Sequence, residues 1–182
     1  MKRKTFLAAL SLPVVSAVIP GKEIPGMEDF CKTQRDQEGP FYKADAPQRS
    51  MIEKDGVPLT IEGRIFKGSD CKSPVAGATV DIWHCDRNGD YDNEGFKCRG
   101  MVKTDLEGRY TFSSIYPPSY GNRPRHIHIK VRAEGFEELT TQIYFKGDKN
   151  IQNDFARNAD ASRVIELVTE GNMRKGHFDI YL

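Results

Sequence analysis

From Leu59 onward apolar and polar residues alternate. LTIEGRIF (59–66) places an apolar residue at every second position over most of its length, the period of a strand with one buried face. ATVDIWHCD (78–86), GMVKTD (100–105), GRYTFSSI (108–115), HIHIKVRA (126–133) and LTTQIYFKG (139–147) also read as strands, and RVIELVTE (163–170) and GHFDIYL (176–182) close the chain as two more. Between them lie segments of turn chemistry: GSDCKSPVAG, DRNGDYDNEG, YPPSYGNRP and Glu134-Gly135. DLEG (105–108) stands between two strand patterns and reads as a hairpin. Residues 150–163 are polar and fit at most a short helix. Seven or so short strands at this spacing predict an all-β fold, an antiparallel two-sheet β-sandwich, over residues 57–182. Residues 18–56 show little periodicity and are expected to form an extended N-terminal arm wrapping the domain.

The first residues follow a different pattern. Lys2, Arg3 and Lys4 precede FLAALSLPVVSAV (6–18), whose end is rich in small residues. This is the layout of a secretory signal peptide, with cleavage expected after Ala17. Pro13 and the missing amphipathic period argue against a buried helix, and the run is too short to span a bilayer. The expected mature protein is exported (periplasmic or secreted) and has no membrane span. In an oxidising compartment Cys31, Cys71, Cys85 and Cys98 are disulfide candidates. Three full pairings are open, as is a free thiol, and no CxxC spacing points to zinc.

Over 182 residues, Lys and Arg number 27 against 26 Asp and Glu, a formal net charge of +1. That balance argues against a nucleic-acid binder, whose phosphate contacts need a basic excess. The length suits one domain, as a monomer or homo-oligomer. Chemistry concentrates in NRPRHIHIKV (122–131), where His126 and His128 stand one residue apart and so share one strand face. An HxH pair is also what a partly exposed surface pair looks like, so other donors decide the reading. Tyr91 and Tyr120 lie in loops near the pair in sequence, whereas Tyr110, Tyr144 and Tyr181 sit in strand patterns and read as packing residues. Two imidazoles with a carboxylate would suit ferrous iron, and with cysteine zinc or copper; with phenolates they favour ferric iron.

EGPFY (38–42), VDIWHCDRNGDY (80–91), GRYTFSSIYPPSYGNRPRHIHIKV (108–131) and TQIYFKGD (141–148) occur in an order and spacing that resemble the intradiol ring-cleavage dioxygenases, in particular their exported branch. The resemblance covers roughly residues 31–182 and implies a transthyretin-like sandwich. It implies one non-haem Fe(III) per chain, held by Tyr91, Tyr120, His126 and His128. It further implies that Tyr120 takes a substrate proton, that Arg123 lies beside the substrate, and that Gln142 lies near Arg123. Pro40, Phe41 and Tyr42 match a segment that either walls the substrate pocket or only pins the arm. The implied partners are a catechol-type small molecule and O2, and the implied product is a muconate-type dicarboxylate. Arg125 either adds charge at the pocket mouth or is a solvated strand-edge residue. Two other readings remain at this point: a sandwich module for binding or adhesion without catalytic iron, and a ferrous or zinc enzyme using the same histidines.

Overall fold

A computed structural model describes residues 31–182. The expected signal peptide and the first part of the arm lie outside the described residues. Among the described residues ten strands form: β1 (Pro58–Phe66), β2 (Thr79–Trp83), β3 (Arg99–Lys103), β4 (Arg109–Ile115), β5 (His126–Arg132), β6 (Leu139–Phe145), β7 (Val164–Ile165), β8 (Leu167–Glu170), β9 (Met173–His177) and β10 (Ile180–Tyr181). One sheet has the order β3-β2-β5-β6-β7; the other runs β10-β1-β9-β8, with β4 also pairing β1. Inward positions follow the alternation. Leu59, Ile61 and Ile65 of β1 meet Val80 and Ile82 of β2 and Ile127, Ile129 and Val131 of β5 in one core. Among the described residues no helix is long and apolar enough to cross a membrane.

Three features differ from expectation. The sheets are mixed, because β9 and β10 run parallel to β1, and β7 runs parallel to β6. The chain steps from one sheet to the other at Glu166, and the β8–β9 hairpin then sets β9 in the direction of β1. DLEG forms a turn, with the Gly108 N–H on the Asp105 carbonyl at 3.1 Å, but no hairpin. β3 pairs β2 in one sheet while β4 pairs β1 in the other. Gly108 lies at φ +71°, and a Cβ there would stand 2.7 Å from the Ile65 carbonyl oxygen, so this crossing accepts only glycine without strain. Residues 149–163 form three short 3-10 turns.

Described residues ahead of β1 lie along both sheets. Residues 47–52 bridge the sheet edges, Gln48 beside Met101 of β3 and Met51 beside Ser113 of β4. Residues 34–42 cross the outer face of the β2-β5-β6 sheet. There Arg163, only 2% exposed, ion-pairs with Asp36, and Lys130 ion-pairs with Glu38. Cys31 and Cys71 form a disulfide that ties the arm to the β1–β2 loop, while Cys85 and Cys98 are free and buried.

Candidate metal centre

β5 turns Ile127 and Ile129 into the core and His126 and His128 onto the opposite face, under the arm. Both imidazoles are 3% exposed, with ring centroids 4.9 Å apart. Trp83 and Gln142 flank His128 across the ladder, and Tyr144 flanks His126. The Trp83 indole stacks on His128 at 4.7 Å and 8°, fixing the plane of that ring. His126 is fixed through Nδ1, which lies 2.7 Å from the Pro124 carbonyl oxygen. A carbonyl only accepts, so Nδ1 carries the proton and Nε2 keeps a free lone pair. That lone pair faces the Tyr91 hydroxyl at 3.5 Å.

Two loops deliver the phenols. In the β2–β3 loop, Asp86 Oδ1 accepts from the N–H groups of Asn88 and Asp90 at 2.8 and 3.1 Å. This Asx-type turn carries Gly89 at φ +90°. A Cβ on Gly89 would lie 3.3 Å from Tyr120 Cβ, so the glycine lets the two loops close on each other. Ring centroids then stand 5.6 Å apart for Tyr91 and Tyr120, 5.8 Å for Tyr120 and His126, and 6.3 Å for Tyr91 and His128. The structure thus brings together the four rings singled out in the sequence.

Burial sets their protonation. It pushes the His126 pKa down to about 4 and that of His128 well below the usual value, with neighbouring cationic groups adding to the effect on His128. Burial, reinforced by Cys85 and Tyr120, raises the Tyr91 phenol above its ordinary range. The protein alone therefore holds neutral imidazoles and a protonated phenol. His128 Nδ1 is buried without a hydrogen-bond partner.

Phe41 stacks on Tyr91 at 4.3 Å and 10° and meets Tyr120 edge-on at 6.4 Å. Tyr42 lies on Trp83 instead, its hydroxyl donating to Asp81 at 3.1 Å, so it buttresses the plate behind His128. Pro40 is exposed. Arg123 Nη2 donates to Gln142 Oε1 at 3.2 Å, and Gln142 Nε2 donates to the Gln37 carbonyl at 2.7 Å. Arg125 pairs with Asp148 at 3.3 Å. His84 is not part of the centre. It is buried between the Cys85 carbonyl and Ser114 Oγ, both at 2.7 Å.

Sequence reasoning missed three residues: Trp83, Arg99 and Asp154. Arg99, 2% exposed, donates to the carbonyls of Phe41 and Asp92, the first belonging to the ring on Tyr91 and the second following Tyr91 in sequence. Asp154 ion-pairs with Arg123 Nε at 2.8 Å. Only for Trp83, the single tryptophan in a strand pattern, did the sequence carry a signal.

The family profile described as dioxygenase matches residues 36–182. The chain belongs to the intradiol ring-cleavage dioxygenase family. Catechol 1,2-dioxygenase 2 of Acinetobacter lwoffii is 34% identical over 174 residues, 80% of this chain and 62% of that protein. The dioxygenase domain of a dioxygenase and carbohydrate-binding protein fusion from Streptomyces sp. SirexAA-E superposes with a TM-score of 0.78 at 37% identity, covering 84% of this chain and 98% of that one. Catechol 1,2-dioxygenase from Pseudomonas arvilla C-1 gives 0.73 at 32% identity, covering 82% and 62%. This member of the family thus matches less than two thirds of the length of those two catechol 1,2-dioxygenases, and nearly all of the Streptomyces domain.

Proposed function

We propose that this protein is a non-haem Fe(III) intradiol dioxygenase. It would cleave a catechol-type ring between its two hydroxylated carbons with O2, giving a muconate-type dicarboxylate. The observation that carries this reading is the convergence of Tyr91, Tyr120, His126 and His128 on one small space, in a chain of the intradiol family. Among the described residues no group of three or more His, Cys, Asp or Glu side chains is placed to hold a metal. The anionic donors here are therefore phenols, which favours ferric ion over ferrous iron or zinc. A binding or adhesion module has no use for two buried imidazoles kept unprotonated beside two phenols. The orphaned Nδ1 of His128 and the free Nε2 lone pair of His126 also fit a metal-binding role.

Tyr91, Tyr120, His126 and His128 would hold the ion, which when bound ionises the phenols and withdraws electron density from the catechol so that its ring reacts with O2. The other tasks fall to the chain. The Tyr120 oxygen accepts a proton from the incoming catechol. Arg123 donates to the substrate oxygen on which negative charge builds, as a fixed cation does in an oxyanion site. Gln142 holds Nη2 of that arginine, and Phe41 covers the Tyr91 side of the pocket. Export is part of the proposal, supported by the charged start and apolar run at the N-terminus and by the Cys31–Cys71 disulfide.

The test is iron analysis, visible spectroscopy and oxygen uptake on one preparation. One iron per chain, a red-brown phenolate-to-iron band and catechol-dependent oxygen consumption are expected. An iron-replete protein without colour, or one that consumes no oxygen with any catechol in a substituted panel, overturns the proposal.

A further inference from the structure

We propose that Asp154 and Phe155 form a clamp that sets the orientation of the Arg123 guanidinium, which makes Asp154 a positioning residue for the reaction proposed above and rests on that reading. Arg123 sits on the loop before β5, where a long side chain would sample many rotamers. Three contacts restrict it. Nε is buried and ion-pairs with Asp154 Oδ2 at 2.8 Å, by proximity of charge and without an aligned hydrogen bond, Nη2 donates to Gln142 Oε1 at 3.2 Å, and the Phe155 ring lies 4.3 Å from Cζ. Among the described residues, Nη1 has no protein partner. It is the end of the fork free to meet a substrate oxygen.

The clamp is itself held firmly. Asp154 Oδ1 caps the following 3-10 turn by accepting from the Ala156 N–H at 2.9 Å. The carboxylate is 8% exposed, against 22% for the Arg123 side chain. The same segment also grips the backbone around Arg123. Asn150 Nδ2 donates to the Arg123 carbonyl at 3.3 Å, and Asp148 Oδ2 accepts from the Arg125 N–H at 2.9 Å. The clamp accounts for an otherwise odd feature, since Phe155 is a large aromatic left 42% exposed, and stacking on a guanidinium is a use for it. Asp154 acts on charge as well as geometry, because its carboxylate compensates the arginine and leaves the fork directional rather than a general anion trap.

Asp154→Asn keeps the cap and removes the anion, and Phe155→Leu changes a half-exposed ring; neither variant threatens the core. Asp154→Asn is expected to lower kcat about tenfold with KM for catechol changed less than about twofold, because the interaction matters most as charge develops. Iron content and the phenolate-to-iron band should match the wild type. Phe155→Leu should lower kcat by a smaller factor. In an Arg123→Leu background, Asp154→Asn should cost nothing further, because its effect passes through Arg123. Wild-type kcat in Asp154→Asn overturns the clamp, and so does an undiminished effect in the Arg123→Leu background. The dioxygenase reading falls separately, on wild-type protein without activity. The clamp is then decided by NMR of the iron-free full chain, where nitrogen relaxation at Arg123 Nε should report a rigid guanidinium in the wild type and a mobile one in Asp154→Asn. Equal order of the guanidinium in both proteins overturns it.

Discussion

Asp36→Ala tests how the arm is held over the face that carries His126 and His128. Arg163 is 2% exposed at its side chain and Asp36 9%, and they form an ion pair. The other partners of the guanidinium are neutral oxygens: Gln34 Oε1 at 3.0 Å and the carbonyls of Arg35 and Gln142 at 3.3 Å. Removing Asp36 leaves a charge in a desolvated site with only dipoles to face it, a cost of about 3–5 kcal/mol. Loss of the Tyr144 hydroxyl contact to Asp36 adds little, since that hydroxyl also lies 2.9 Å from Gln142 Oε1. Set against a total stability of about 5–15 kcal/mol, the change is large. Urea unfolding at neutral pH should show it as a lower midpoint. Replacing both partners, Asp36→Leu with Arg163→Leu, should recover most of the loss, because no uncompensated charge then remains. A loss below about 1 kcal/mol in Asp36→Ala, the scale of a solvated surface pair, would refute the reasoning.

His128→Ala should empty the centre, since one imidazole cannot hold the ion with the phenols alone; metal analysis showing wild-type iron would remove His128 from the ligand set. Arg123→Leu should keep iron and colour yet lose turnover by on the order of 10²-fold, and a wild-type rate of oxygen uptake would reduce Arg123 to a loop cation. His84 supplies a pH test, because burial lowers its pKa to about 4 from an ordinary 6.5. The unfolded chain therefore binds the proton first, so stability present above pH 6.5 falls by about 3 kcal/mol as pH drops toward 4. His126 and His128 are depressed by burial in the same way, so His84→Asn should make the acid slope in urea titrations shallower by one group's share, and an unchanged slope would assign it to other groups.

What could be read from the sequence was local. Strand β5 is visible because Ile127 and Ile129 alternate with His126 and His128 within four residues, and the Tyr120–Arg123–His126–His128 spacing lies within a stretch of nine. Strand partners were not visible. DLEG has hairpin chemistry whether its strands share a sheet or separate, and the close approach of Gly108 to Ile65 depends on residues more than forty positions away. The supports of the site were hidden for the same reason. Trp83 becomes a plate for His128 only through the β2–β5 register, and Asp154 meets Arg123 only because the segment after β6 folds back beside the loop before β5. Phe41 stood in a recognised segment, but the sequence did not say which way its ring faced.

The crossing of residues 34–42 over the face that carries His126 and His128 also bears on the order in which the chain folds. The arm's anchors are remote in sequence: Asp36 N–H bonds the Thr140 carbonyl, Glu38 meets Lys130, and Asp36 meets Arg163 across 127 positions. None of these can form until β5, β6 and the segment after them exist, and such distant closures are the slow ones. His126, His128 and the two phenol loops can assemble earlier from nearer contacts. Metal uptake during refolding should therefore be fast while the arm is undocked and slow once it has closed. The delay between dilution from denaturant and addition of iron then controls how much protein becomes loaded.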